Sequence, residues 1–137
     1  MDRVYVDTNI IIDWLGQRKS WYLPAKELFK RGEAGSVLLF TSTVSITTTE
    51  YILAKRIGRR KTLQALIGIR QLINIVDSGE KEIDLSLASK FTDFEDAFQY
   101  YNALKADCHL IVTRNLKDFG PARIPVMTAD TYIRSNS

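Results

Sequence analysis

Five short runs of β-branched and aromatic residues, each almost wholly apolar, constrain this chain more than any other feature. They are Val4-Tyr5-Val6, Val37-Leu38-Leu39-Phe40, Ile73-Asn74-Ile75-Val76, Leu110-Ile111-Val112-Thr113 and Ile124-Pro125-Val126-Met127. A strand with one wet face alternates apolar and polar residues, whereas a near-continuous apolar run is how a strand covered on both faces reads. The gaps between the runs carry helical spacing. Strand–helix alternation predicts an α/β domain around a central, mainly parallel sheet of four to five strands. No linker, repeat or low-complexity tract interrupts the 137 residues, so the expected unit is one domain over 1–137.

The helices follow from periodicity and caps. Asp7 precedes a helix over Thr8–Leu15. Helices are also expected over 22–34, 59–72 and 80–91, the last two carrying Leu63, Leu66, Ile67 and Ile69, and Ile83, Leu85 and Leu87. Residues 93–107 place Phe94, Ala97, Phe98, Tyr101 and Leu104 on one stripe, with Thr92 and Glu95 spaced as a capping box. Asp96 falls on a second face, with Tyr100 and Ala103. Residues 43–57 contain four threonines, which favour strand, but the downstream half reads as helix and the whole stretch is taken as one.

Composition narrows the chemistry. The single cysteine, Cys108, excludes an internal disulfide framework and a Cys-based zinc site. The single histidine, His109, leaves little room for a Ser-His-Asp triad or a His-ligated metal. No apolar run approaches the roughly 18 residues of a spanning helix, and the N-terminus shows no basic segment or cleavage signature. A cytoplasmic protein is expected. The net charge of +3 speaks only to non-specific association with polyanions.

Ligands of a parallel α/β sheet collect at the carboxyl ends of its strands. Asp7 follows the first strand, Thr41 and Ser42 the second, and Thr113, Arg114, Asn115 and Asp118 the fourth. Glu50 lies about two turns into the helix after the second strand, and Asp96 one turn into the helix that feeds the fourth. Each acid has an ordinary role open to it. Asp7 can cap a helix, Glu50 can be an exposed helix residue, Asp96 can complement a helix dipole, and Asp118 can form a turn. Those separate roles leave their shared sheet edge unexplained. Close carboxylates repel, and they take up either protons or a cation. Oxygen donors without usable His or Cys suit Mg²⁺ or Mn²⁺, ions that activate water and bind phosphate oxygens.

These stretches resemble the PIN domain family. Val4-Tyr5-Val6-Asp7-Thr8-Asn9 is similar to its opening motif, and Thr47-Thr48-Thr49-Glu50-Tyr51 to its second acidic position. Asp93-Phe94-Glu95-Asp96-Ala97 is similar to its third, and Ile111-Val112-Thr113-Arg114-Asn115-Leu116-Lys117-Asp118-Phe119 to its closing motif. The chain length resembles that of VapC-type toxins. The resemblance implies a three-layer α/β/α fold and a metal-dependent endoribonuclease using Mg²⁺ or Mn²⁺. By position it assigns Asp7, Glu50 and Asp96 to the metal. Asn115 stands where the family often has a fourth acid, with Asp118 three residues on. Thr8 and Thr113 are expected to orient the acids or a water, and Asp93 to belong to the helix cap.

Lys55, Arg56, Arg59, Arg60 and Lys61 cluster around Gly58 and, with Arg114, are candidates for gripping RNA phosphates. Arg18-Lys19-Ser20-Trp21-Tyr22 mixes bases with aromatics and suits RNA or a protein interface. The resemblance further implies a homodimer and a small antitoxin that occludes the acidic pocket. Two other classes share these features: a non-catalytic RNA- or protein-binding module, favoured by the neutral Asn115, and a phosphatase or flap-type DNA nuclease.

Overall fold

The computed structural model describes residues 1–136. Five strands form one sheet in the order β3-β2-β1-β4-β5, and every neighbouring pair is parallel. The strands are β1 (Asp2–Val6), β2 (Val37–Thr41), β3 (Ile73–Ile75), β4 (Leu110–Val112) and β5 (Val126–Met127). All five expected runs are strands, although β5 keeps only the last two residues of its run.

Both faces of the sheet are covered, as the apolar runs require. Val4, Val6, Leu39, Leu110 and Val112 point into one core and Tyr5, Phe40 and Ile111 into the other, the two-residue alternation of a pleated strand. The first core is closed by α1 (Thr8–Leu15), α2 (Tyr22–Glu33), α4 (Arg59–Arg70) and α7 (Ala129–Ser135), through Ile10, Ile11, Leu28, Phe29, Ile69 and Tyr132. The second is closed by Tyr100 and Ala103 of α6 (Phe94–Lys105) and by Phe119 of a short 3₁₀ turn, Leu116–Phe119. Right-handed crossovers explain the division, because the chain moves outward one way from β1 to β3 and the other way from β4 to β5. α3 (Thr43–Ile57) packs mainly against α1 and α4 instead of lying on the sheet. Gly32 lets α2 approach β2, since a methyl group there would come within 2.6 Å of Leu39 Cδ1.

Three sequence expectations shift. The N-cap of α6 is Asp93, whose carboxylate accepts from Asp96 N at 3.0 Å, and not Thr92 of the expected capping box. The stripe from Phe94 to Leu104 is buried only in its middle: Ala97 and Phe98 are buried but Phe94 and Leu104 are exposed, while the second face buries Gln99, Tyr100, Asn102 and Ala103. α5 (Glu80–Leu87) is shorter than expected, and its Ile83, Leu85 and Leu87 are exposed. The cause is layering. α5 packs on α6 and not on the sheet, so Leu85, Tyr101 and Leu104 line an open groove between the two helices.

Candidate acidic site at the carboxyl edge of the sheet

β1 and β4 are neighbours whose following connections leave on opposite faces, which makes their carboxyl ends the topological switch point of the sheet. Asp7 lies there, with its N–H donating to Val112 O at 3.0 Å. Its capping role and its place in the site coexist. Oδ1 accepts from Thr8 N at 2.8 Å, capping α1, while Oδ2 accepts from Thr113 Oγ1 at 2.7 Å across the switch point. Asn9, which the sequence reading left without a role, adds Nδ2 contacts of 3.4 Å to both Asp7 Oδ2 and Thr113 Oγ1.

Beneath the acids is a buried polar network that sequence reading missed. Gln99 Oε1 accepts from Ser42 Oγ at 3.2 Å, from Ser45 Oγ at 3.0 Å and from the Tyr5 hydroxyl. Thr8 donates to Ser45 Oγ at 2.8 Å, so its hydroxyl ties α1 to α3 and does not reach toward the acids. A glutamine one turn after Asp96, on the face shared with Tyr100 and Ala103, was the available signal. A polar residue flanked by core positions needs partners.

The acids interact. Burial raises the Asp7 carboxyl above the ordinary carboxylate range, and the charges of Asp118 and Asp93 add to the rise against the pull of the Thr113 and Thr8 hydrogen bonds. Asp96 is pushed up to about 7, first by burial and then by Asp7, Asp93, Asp118 and Glu95. Glu95 is also raised, by burial and then by Asp7 and Asp93. The structure therefore brings together Asp7, Asp96 and Asp118, with Asp93 and Glu95 beside them. Glu50, half-buried on α3, is not among the charges that Asp7 and Asp96 feel. Asn115 is exposed and contributes its backbone N–H to Thr113 Oγ1 at 3.1 Å.

Carboxylates whose proton affinity is raised first by burial and then by neighbouring acids suit a hard divalent cation, which would offset the same cost that protons otherwise offset. Among the described residues no three Asp, Glu, His or Cys side chains enclose a single point. One or two carboxylates with several waters is the usual protein environment of Mg²⁺.

The basic candidates lie elsewhere. Lys55, Arg56, Arg59, Arg60 and Lys61 are exposed at the turn from α3 to α4, and among the described residues none forms an ion pair with an acid. Arg56 lies eight residues beyond Thr48, about 12 Å along α3. Arg114 is committed inside the protein: its Nε bonds the buried Asp13 Oδ2 at 2.7 Å and its guanidinium stacks over Trp21 at 4.1 Å.

Fold and site define an α/β domain whose chemistry rests on carboxylates at a switch point. The chain belongs to the PIN domain family, whose model matches residues 3–117. It is 29% identical over 136 residues to Ribonuclease VapC1 of Aquifex aeolicus (strain VF5), covering 96% of this chain and 93% of that protein. Its fold is similar to the crystal structure of DNA-bound VapBC from Salmonella typhimurium, with a TM-score of 0.70, 18% identity, and 94% and 99% of the two chains covered. It is also similar to VapC20 of Mycobacterium tuberculosis, a sarcin-ricin loop cleaving toxin, with a TM-score of 0.66, 16% identity, and 88% and 98% covered. Among the described residues no helix is long and apolar enough to cross a membrane.

Proposed function

We propose that this chain is an endoribonuclease that hydrolyses phosphodiester bonds with Mg²⁺ or Mn²⁺, acting as the toxin of a toxin–antitoxin pair. The carrying observation is Asp7 fixed by Thr113 and Thr8 N at the switch point, with Asp96 close enough for the Asp7 charge to add to its raised affinity for protons. The likeness to Ribonuclease VapC1 along nearly the whole chain supports RNA as the substrate. Asp7, fixed by Thr113 and Thr8 N, and Asp96 would hold the cation, and Asp118 would add negative charge at the rim. The bound ion supplies Lewis acidity toward the scissile phosphate and lowers the pKa of a bound water. The buried Gln99 network keeps the starts of α1, α3 and α6 in register, so the acids meet substrate without first having to be ordered.

The VapBC likeness supports a small antitoxin partner, and an arginine from it would pair well with these acids. A homodimer acting in the cytoplasm accompanies this reading, and light scattering of the isolated chain checks the stoichiometry. The experiment for the activity is cleavage of RNA and DNA oligomers of one sequence, with Mn²⁺ and with chelator. Metal-dependent RNA cleavage is expected, reduced at least about a hundredfold in Asp7→Asn and Asp96→Asn while both variants stay folded. Full cleavage by either variant defeats the assignment. RNA binding without cleavage would leave a non-catalytic module.

A further inference from the structure

A cavity of about 290 Å³ opens at the same carboxyl edge as the acids, with Asp13, Trp21, Pro24, Arg114 and Thr128 among its walls. The sheet puts it there. Thr113 N donates to Met127 O at 3.0 Å, which brings the residues that follow, Arg114 and Thr128, to one place. Asp13 lies six residues along α1 from the Asp7 cap, about 9 Å. Asp13 is the unusual wall. It is fully buried, and its Oδ2 accepts from Arg114 Nε at 2.7 Å. Its Oδ1 has no hydrogen-bond partner among the described residues, and Arg18 Nε stands 4.0 Å away, beyond hydrogen-bond reach. A buried acceptor without a donor is a standing cost that a ligand's N–H removes. Arg114 and Arg18 already offset the charge, so the missing group is a neutral donor and not another cation. Beside it Trp21 is 46% exposed, with the Arg114 guanidinium over its ring at 4.1 Å. An aromatic surface next to a hydrogen-bonding group is how proteins hold an unpaired base, by stacking and through its Watson–Crick edge. The volume sits at the lower bound of small-ligand sites, roughly 300 Å³, which suits one ring system.

We infer that this cavity takes an unpaired guanine of the RNA, close to the phosphate that meets the acids, and that Asp13 and Trp21 set a preference for that base. The inference rests on RNA being the substrate, as proposed above. Guanine alone among the RNA bases carries two adjacent N–H donors, on N1 and N2, along its Watson–Crick edge, and Asp13 Oδ1 accepts there. Adenine would turn the N1 lone pair toward the same carboxylate. Arg114 is a positioning residue, because it holds the other oxygen of Asp13 and leaves Oδ1 to the base. The mixed basic and aromatic segment from Arg18 to Tyr22 thereby gains a role as one rim of the cavity.

Fluorescence anisotropy of the full-length protein in chelator tests this, with short labelled uridine-rich RNAs carrying one central guanine, inosine or adenine. Wild type should bind the guanine RNA about tenfold more tightly than the adenine RNA, with inosine, which lacks the N2 amino group, between them. Trp21→Ala should weaken the guanine RNA about tenfold. Asp13→Asn should bring the guanine and adenine affinities together, a change of ratio that a merely structural role would not produce. Thermal melts establish that each variant is folded, and Trp21, at the surface, keeps the test open should Asp13→Asn unfold. Equal binding of the three RNAs by wild type overturns the inference. So does unchanged guanine affinity in Trp21→Ala, which returns the segment to a protein interface, and either result leaves the proposed metal-dependent cleavage standing. Failure of wild type to bind any of the RNAs overturns RNA as the substrate and the inference with it.

Discussion

Asp7 gives one carboxylate oxygen to the start of α1 and the other to Thr113, and Asp96 titrates in its field. Asp96 keeps its proton in the folded protein up to about 7, whereas an unfolded chain releases it near ~3.9. Between those values the folded state binds more protons. The stabilising contribution is therefore fully present below the unfolded value and is lost as pH rises through about 7. In chelator the melting temperature should fall from pH 5 to pH 8, and Asp96→Asn should remove most of that fall; calorimetric scans check both. Arg114 makes the opposite case. It was a candidate RNA contact, but its partner Asp13 is fully buried, and Arg114→Ala leaves that carboxylate only the more distant Arg18 at 4.0 Å. A loss of about 3 kcal/mol in urea denaturation is expected. Asp7, Asp96 and Asp118 were legible in sequence because each sits next to a strand end or at a helix start. The buried Gln99 network was not, because a two-residue step around a helix reverses facing, and only the Ser45–Gln99 contact sets the rotation.

α6 shows what periodicity can and cannot settle. Its limits were close to those expected, but beside buried Ala97, Phe98, Tyr100 and Ala103 its inward side also carries Gln99 and Asn102, both fully buried. A helix packed between a sheet and a second helix has two faces to satisfy, and hydrophobicity alone does not show that one of them is polar. α3 is the reverse case. Its threonines argue for strand, yet Ser42 caps it by accepting from Ser45 N at 3.0 Å, and Ser45, Thr49 and Leu53 bury against its neighbours. Gly58 ends it with φ at +88°, a conformation few other residues tolerate, and so permits the reversal into α4. Asp93 allows cap and charge to be separated. Asp93→Ala should cost about 1 kcal/mol, whereas Asp93→Asn keeps the cap and should cost little, as equilibrium unfolding in chelator would show.

For the molecule as a whole, the strand runs predicted the class and the parallel sheet, but not the strand order, which depends on which crossovers pack on which face. That order places the acids at one switch point and leaves the basic turn between α3 and α4 at a distance from them. The two clusters therefore have separable effects. Replacing Arg59, Arg60 and Lys61 by Ala should weaken RNA binding and flatten its logarithmic salt dependence by about 2, with Mn²⁺ affinity unchanged; filter binding across a salt series measures it. The central position of β1 also orders events during synthesis. β1 pairs with β4 in the register Val4↔Leu110, so the hydroxyl that fixes Asp7 and the charge of Asp118 arrive only with the last quarter of the chain. A ribosome making this protein carries Asp7 in an incomplete pocket through most of translation. Whatever chemistry depends on the completed pocket is therefore withheld until the polypeptide is nearly finished.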